Sequence, residues 1–89
     1  MATPEQPPRA AALRYQKGET APALVASGRG HVADAILAAA EEAGIPVRED
    51  AVLVEALAHL ELGDRVPPEL YQAVAEALAW AYHLTRRSA

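Results

Sequence analysis

The sequence predicts one small α/β (α+β) domain, a central mixed β-sheet wrapped by three helices. Three observations carry that prediction. Apolar residues recur at helical spacing from His31 to Ala43, after Asp50, and from Pro67 to Leu84. Short alternating or apolar runs lie between and before them, at Ala10–Tyr15, Ala23–Ala26 and Ile45–Arg48. The chain has 89 residues, enough for a single domain that buries roughly 60% of its unfolded surface. It is rich in alanine and has no phenylalanine, so the core must be thin and the helices closely packed.

Taken in order, residues 1–9 read as a disordered arm, because Pro4, Pro7 and Pro8 remove backbone donors and little there can be buried. In Ala10–Tyr15, Ala11, Leu13 and Tyr15 alternate with Arg14 across a strand, and Gln16–Thr20 is a polar loop turning at Gly18. Ala23–Ala26 is an apolar run stopped by Ser27-Gly28, as expected of a strand covered on both faces. Helix His31–Ala43 places Val32, Ala33, Ile36, Leu37 and Ala40 on one face, has Asp34 in its first turn, and stops at Gly44 with Pro46 beyond. Ile45–Arg48 reads as a third strand, and strand, helix and strand in this order call for a parallel right-handed crossover. Asp50 can cap a helix carrying Leu53, Leu57 and Leu60 that ends at Gly63. Asp64–Val66 is a link with the makings of a short edge strand. The domain proper spans 10–84, and 85–89 is a flexible tail.

The last helix holds more apolar material than one face needs. Pro67-Pro68-Glu69 is a helix start, since proline loses nothing by lacking an N–H there and the acid suits the positive helix end. Leu70, Val74, Ala77, Ala81 and Leu84 share one stripe, and Tyr71, Ala75, Leu78 and Tyr82 form a second, about a quarter turn away. Either both stripes are buried, or one packs inward and the other meets a partner. The pattern alone favours burial of both.

Composition excludes several classes of function. A net charge of −4 argues against nucleic acid, which requires a basic stripe. No apolar run approaches the ~20 residues of a membrane span, the N-terminus has no signal-sequence pattern, and no cysteine offers disulfide or thiolate chemistry; a soluble cytoplasmic protein is expected. Ser27-Gly28-Arg29-Gly30-His31 has the outline of a phosphate cradle but neither glycine-rich nucleotide motif, so it reads as a tight strand-to-helix turn. His31, His59 and His83 are far apart and lack metal-ligand spacing. The adjacent acids Glu41-Glu42 and Glu49-Asp50, with Glu61, are solvated helix ends rather than an acid–base pair. No catalytic residue, metal site or cofactor is predicted.

Taken together, certain stretches resemble a known family. Ala12-Leu13-Arg14-Tyr15, Ala21-Pro22 running into Ala23-Leu24-Val25-Ala26-Ser27-Gly28, Gly44-Ile45-Pro46-Val47, and Leu53 to Leu57 all contribute. The most specific is Pro67 to Trp80, with Glu69-Leu70-Tyr71, Val74-Ala75-Glu76 and Leu78-Ala79-Trp80. These resemble the cytoplasmic domain of the FlhB/YscU family, export-apparatus switches of flagellar and injectisome type III secretion, from about Ala10 to Leu84. The resemblance implies a four-stranded mixed sheet surrounded by helices, with an additional strand near Val66.

It also marks departures. Family switches carry a membrane domain ahead of this one and a self-cleaving Asn-Pro-Thr-His loop before the first strand. That loop falls at Glu5-Gln6-Pro7-Pro8, and the chain contains no asparagine, so self-cleavage is not expected and the domain is not an enzyme. Ser27 and Glu55 stand where the family usually has Lys and Arg. The family's proposed docking patch for export substrates maps to Ala21, Pro22, Ala75 and Leu78, with Tyr71 and Tyr82 flanking, and shifts the reading of the second stripe toward partner contact. The expectation is a stand-alone, non-cleaving homologue, Met1 being a natural start. It would be a monomer or weak dimer acting as an accessory binding module at the inner face of the cell membrane. It would contact export substrates or export-gate subunits, with neither nucleic acid nor membrane insertion. The alternative is a structural homo-oligomer joined through the Tyr71/Leu78 strip.

Overall fold

The computed structural model describes residues 8–88, with side chains described through Leu84. Of the expected arm, residues 1–7 lie outside the described residues, whereas Arg9 already belongs to a strand. Strand β1 (Arg9–Arg14) and strand β2 (Ala23–Arg29) form an antiparallel hairpin, followed by α1 (His31–Ala43), α2 (Ala51–Leu57), a 3-10 turn (Pro68–Leu70) and α3 (Tyr71–Ser88). The ladder pairs Ala12 with Ala26 but Leu13 with Leu24, so Val25 is the extra residue of a β-bulge.

Directly opposed residues of an antiparallel pair point to the same face, and the hairpin therefore divides the molecule into two layers. Ala11, Leu13 and Leu24 face the main core, where Leu24, Leu53, Leu57, Val66 and Val74 are buried together with Leu60, Leu70, Ala73, Ala77 and Leu78 against them. The other face, made by Ala10, Ala12 and Gly28, receives α1, whose Ala33 is fully buried. A Cβ on Gly28 would collide with the side chain of Val32, so only glycine lets α1 settle this close.

Local chemistry sets the helix ends. At the end of α1, Gly44 takes the left-handed conformation (φ 74°) and donates its N–H to Glu41 O (3.1 Å), while Ile45 N–H reaches Ala40 O (2.9 Å). This doubly bonded stop needs a residue at positive φ, which glycine supplies without strain. At the start of α2 the Asp50 carboxylate accepts from Leu53 N–H at 3.0 Å, the predicted cap.

Several expectations are corrected. Ile45–Arg48 is not a strand: Ile45 spends its N–H on the α1 stop and Pro46 has none, so the segment begins with two positions unable to donate to a ladder. Without it there is no parallel crossover. Among the described residues the regular sheet has two strands rather than four, and the link near Val66 adds only one antiparallel bridge, Ala23 to Arg65. Finally, α2 ends at Leu57, well before Gly63, whereas α3 continues beyond Leu84 to Ser88.

Candidate binding site

The residues singled out for docking lie on the 19–22 turn and on α3. The turn is held from outside the hairpin. Arg65 donates from its guanidinium to Ala21 O (2.8 Å) and pairs with the Glu19 carboxylate at 3.1 Å. Pro22 O accepts from Val66 N–H (2.9 Å), and Leu24 exchanges backbone bonds with Asp64 O and Gly63 N–H at 2.9 and 2.8 Å. Glu19 also closes its own loop, accepting from Gln16 N–H at 2.9 Å. That backbone bond, reinforced by Arg65, lowers the Glu19 pKa below the ordinary carboxylate value.

This bracing buries Ala21 and Pro22, with Ala21 only 3% exposed. On α3 the second stripe divides: Tyr71, Ala75 and Tyr82 are exposed, the tyrosines at 45% and 59%, while Leu78 is half-buried against the core. The first stripe is corrected at its far end. Val74 is its buried centre, but Leu84 is 42% exposed, because among the described residues of α3 none beyond Leu78 packs against the core cluster. Val66 connects the two parts: its N–H bonds to Pro22 O, and its side chain lies in the core cluster that contains Val74 and has Leu78 packed against it.

The other candidate sites resolve as structure. Gly30 N–H, at the start of α1, donates to Pro8 O at 2.8 Å, which ties the turn to the chain ahead of β1. His31, His59 and His83 are exposed, and no cluster of potential metal ligands occurs among the described residues. Glu55 stands 4.0 Å from Arg9, a loose and largely solvated ion pair. The Arg65–Glu19–Ala21 brace was not foreseen. Its partners lie 44 residues apart where Arg65 meets Ala21, and no periodicity or motif signals such a pairing.

The FlhB HrpN YscU SpaS Family matches residues 8–81. The chain belongs to that family. It is 45% identical over 83 residues to the protein YlqH of Bacillus subtilis (strain 168), covering 90% of this chain and 89% of that one. To the flagellar biosynthetic protein FlhB of Escherichia coli (strain K12) it is 43% identical over 77 residues, 84% of this chain but 20% of FlhB. The domain thus spans about a fifth of its FlhB relatives. Among solved structures it resembles a mutated EscU C-terminal domain (TM-score 0.77, 31% identity, 82% of this chain and 90% of that one). The PscU C-terminal domain is similarly close (TM-score 0.76, 32% identity, 81% and 94%). No helix among the described residues is long and apolar enough to cross a membrane. The family-level reading from the sequence is therefore correct, and the fold is that of the family's C-terminal domain.

Proposed function

We propose that this domain is a non-cleaving homologue of the export switch's cytoplasmic domain. It works as an accessory binding module of the flagellar or type III export apparatus, on the cytoplasmic side. It contacts export substrates or export-gate subunits through the strip Tyr71, Ala75, Leu78 and Tyr82, with Ala21 and Pro22 supporting that surface from below. The observation that carries this reading is coverage: the chain spans a fifth of FlhB yet nine-tenths or more of the EscU and PscU C-terminal domains. Exposed tyrosines beside a small apolar centre suit weak, reversible capture, because a few hundred Å² of apolar area leaves only modest affinity after ordering costs. The same exposed tyrosines favour one second reading, a homodimer joined through this strip.

The test substitutes Ala75→Glu, which is exposed and leaves the core intact, alongside Leu78→Asp. Binding of the host's purified export substrates and gate subunits should fall at least tenfold in Ala75→Glu with helicity unchanged; unchanged binding in both folded variants would sink the docking role. Sedimentation at micromolar concentration should show a monomer, whereas a tight dimer abolished by the same substitutions would establish the second reading. Lacking asparagine, the chain should keep its intact mass after prolonged incubation, and a cut near residues 5–6 would contradict the non-cleaving assignment.

A further inference from the structure

A cavity of about 340 Å³ lies at the end of the hairpin away from its loop, and none of its lining residues belongs to the 19–22 turn or to α3. Its size falls within the range of small-molecule sites, about 300–1,000 Å³. The polar lining is Arg9, Ser27, Arg29 and His59, and Val54 and Ala58 supply an apolar wall. Among the described residues no carboxylate lines it, although the whole chain carries a net charge of −4. The ladder brings these groups together. Arg9 stands directly opposite Arg29, so both side chains leave the same face of the hairpin. Ser27, two residues before Arg29, shares that face, and His59 meets it from just beyond α2. Like charges directly opposed across a ladder destabilise it. Glu55 relieves Arg9 only loosely, at 4.0 Å and with its own side chain 70% exposed. Among the described residues the side chains of Ser27, Arg29 and His59 have no hydrogen-bond or ion-pair partner. Repelling cations and unspent donors thus surround one space.

We infer that this cavity binds the dianion of a phosphate monoester. Two guanidinium groups and a hydroxyl suit a tetrahedral oxyanion, since each planar fork can give it two parallel N–H bonds. A dianion neutralises both arginines, whereas a single carboxylate leaves one positive charge uncompensated beside the other. The contacts come from side chains and not from the glycine-rich turn, because Gly30 N–H is spent on Pro8 O. Beyond the phosphoryl group, the wall of Val54 and Ala58 takes a small organic substituent, so an ester fits better than the free ion. That ester belongs to a small molecule or to a phosphorylated side chain, with the same chemistry in either case. The cavity shares no residue with the strip on α3, so it stands independently of the proposed export role.

Titration calorimetry of the full 89-residue chain with phenyl phosphate, at fixed ionic strength, should show saturable binding at one site. Inorganic phosphate and benzoate, each carrying only half of that probe, should bind at least tenfold more weakly. Arg29→Ala should weaken phenyl phosphate at least tenfold. Because it removes the charge opposed to Arg9, it should not lower the Tm of the free chain. Arg14→Ala changes an exposed arginine at the far end of β1 and should leave binding unchanged. A capped Gly-phosphoserine-Gly peptide separates the two sources. Tighter binding than phenyl phosphate assigns the site to a phosphorylated protein, and weaker binding assigns it to a small molecule. Three results overturn the proposal. They are no saturation at millimolar phenyl phosphate, inorganic phosphate or benzoate binding as tightly as phenyl phosphate, and no difference between Arg29→Ala and Arg14→Ala, which would reduce the effect to general charge attraction.

Discussion

Gly28 is the residue on which the α1 layer depends. It pairs with Ala10 in the ladder, and the position where its Cβ would stand is filled by the side chain of Val32. Its φ is not positive, so the backbone would accept alanine and the obstacle is the collision alone. Gly28→Ala is expected to destabilise the domain by about 1–3 kcal/mol, the usual range for overpacking. Adding Val32→Ala should recover part of the loss, because it removes the colliding group. Urea denaturation of the two single variants and the double variant measures this directly, and an additive double variant would refute the steric account. The sequence marked Ser27 to His31 as a turn, but the partner that makes glycine necessary at position 28 is a side chain one helical turn further on.

Among the elements, α2 is short enough for its cap to matter. Seven residues cannot sustain a helix in water by themselves, so α2 relies on Leu53 and Leu57 in the core and on the Asp50 carboxylate at its start. Asp50→Ala should cost about 1 kcal/mol, while Asp50→Ser should retain most of the stability; thermal melts of the two variants distinguish capping from a general charge effect. The helices were largely legible in the sequence because their signals are local. The bounds of α1 follow from periodicity and from Gly44, and the cap of α2 from Asp50. Ile45–Arg48 was misread for the complementary reason. Its composition suits a strand, but a strand also needs a neighbouring backbone, and neither the loss of Ile45 N–H to the α1 stop nor the distance to a partner is visible in composition.

Across the whole molecule, the brace between Arg65 and the 19–22 turn ties the link before α3 to the loop of the hairpin. The pKa of Glu19 is lower in the folded chain than its ordinary value of 4.5, through the Gln16 backbone bond first and Arg65 second. A carboxylate depressed on folding stabilises the native state fully above its unfolded pKa, and that contribution fades as the pH falls through the folded value. Acid below about pH 4.5 should therefore remove a stabilising contribution that Glu19→Gln lacks at every pH. Stability curves of the two proteins should converge toward low pH; parallel curves would show that Glu19 is not titrating in the brace. The candidate site was only half legible at this scale. The second apolar stripe of α3 by itself pointed to burial, and only the family resemblance turned the reading toward the exposure that Tyr71, Ala75 and Tyr82 show. The burial of Ala21 and Pro22 was not legible, because it depends on Arg65 and Val66 folding back over them from a distant part of the chain.

The bulge at Val25 bears on how such a chain tolerates change in length. With Leu24 opposite Leu13 and Ala26 opposite Ala12, Val25 is a spare beat in the rhythm of β2. Deleting one residue from a strand ordinarily turns every later side chain to the wrong face. Removing Val25 would instead leave Leu24 toward the core and Ala26 toward α1, restoring an unbroken ladder. The hairpin can lose a residue there, in evolution or by design, and keep both of its layers in phase.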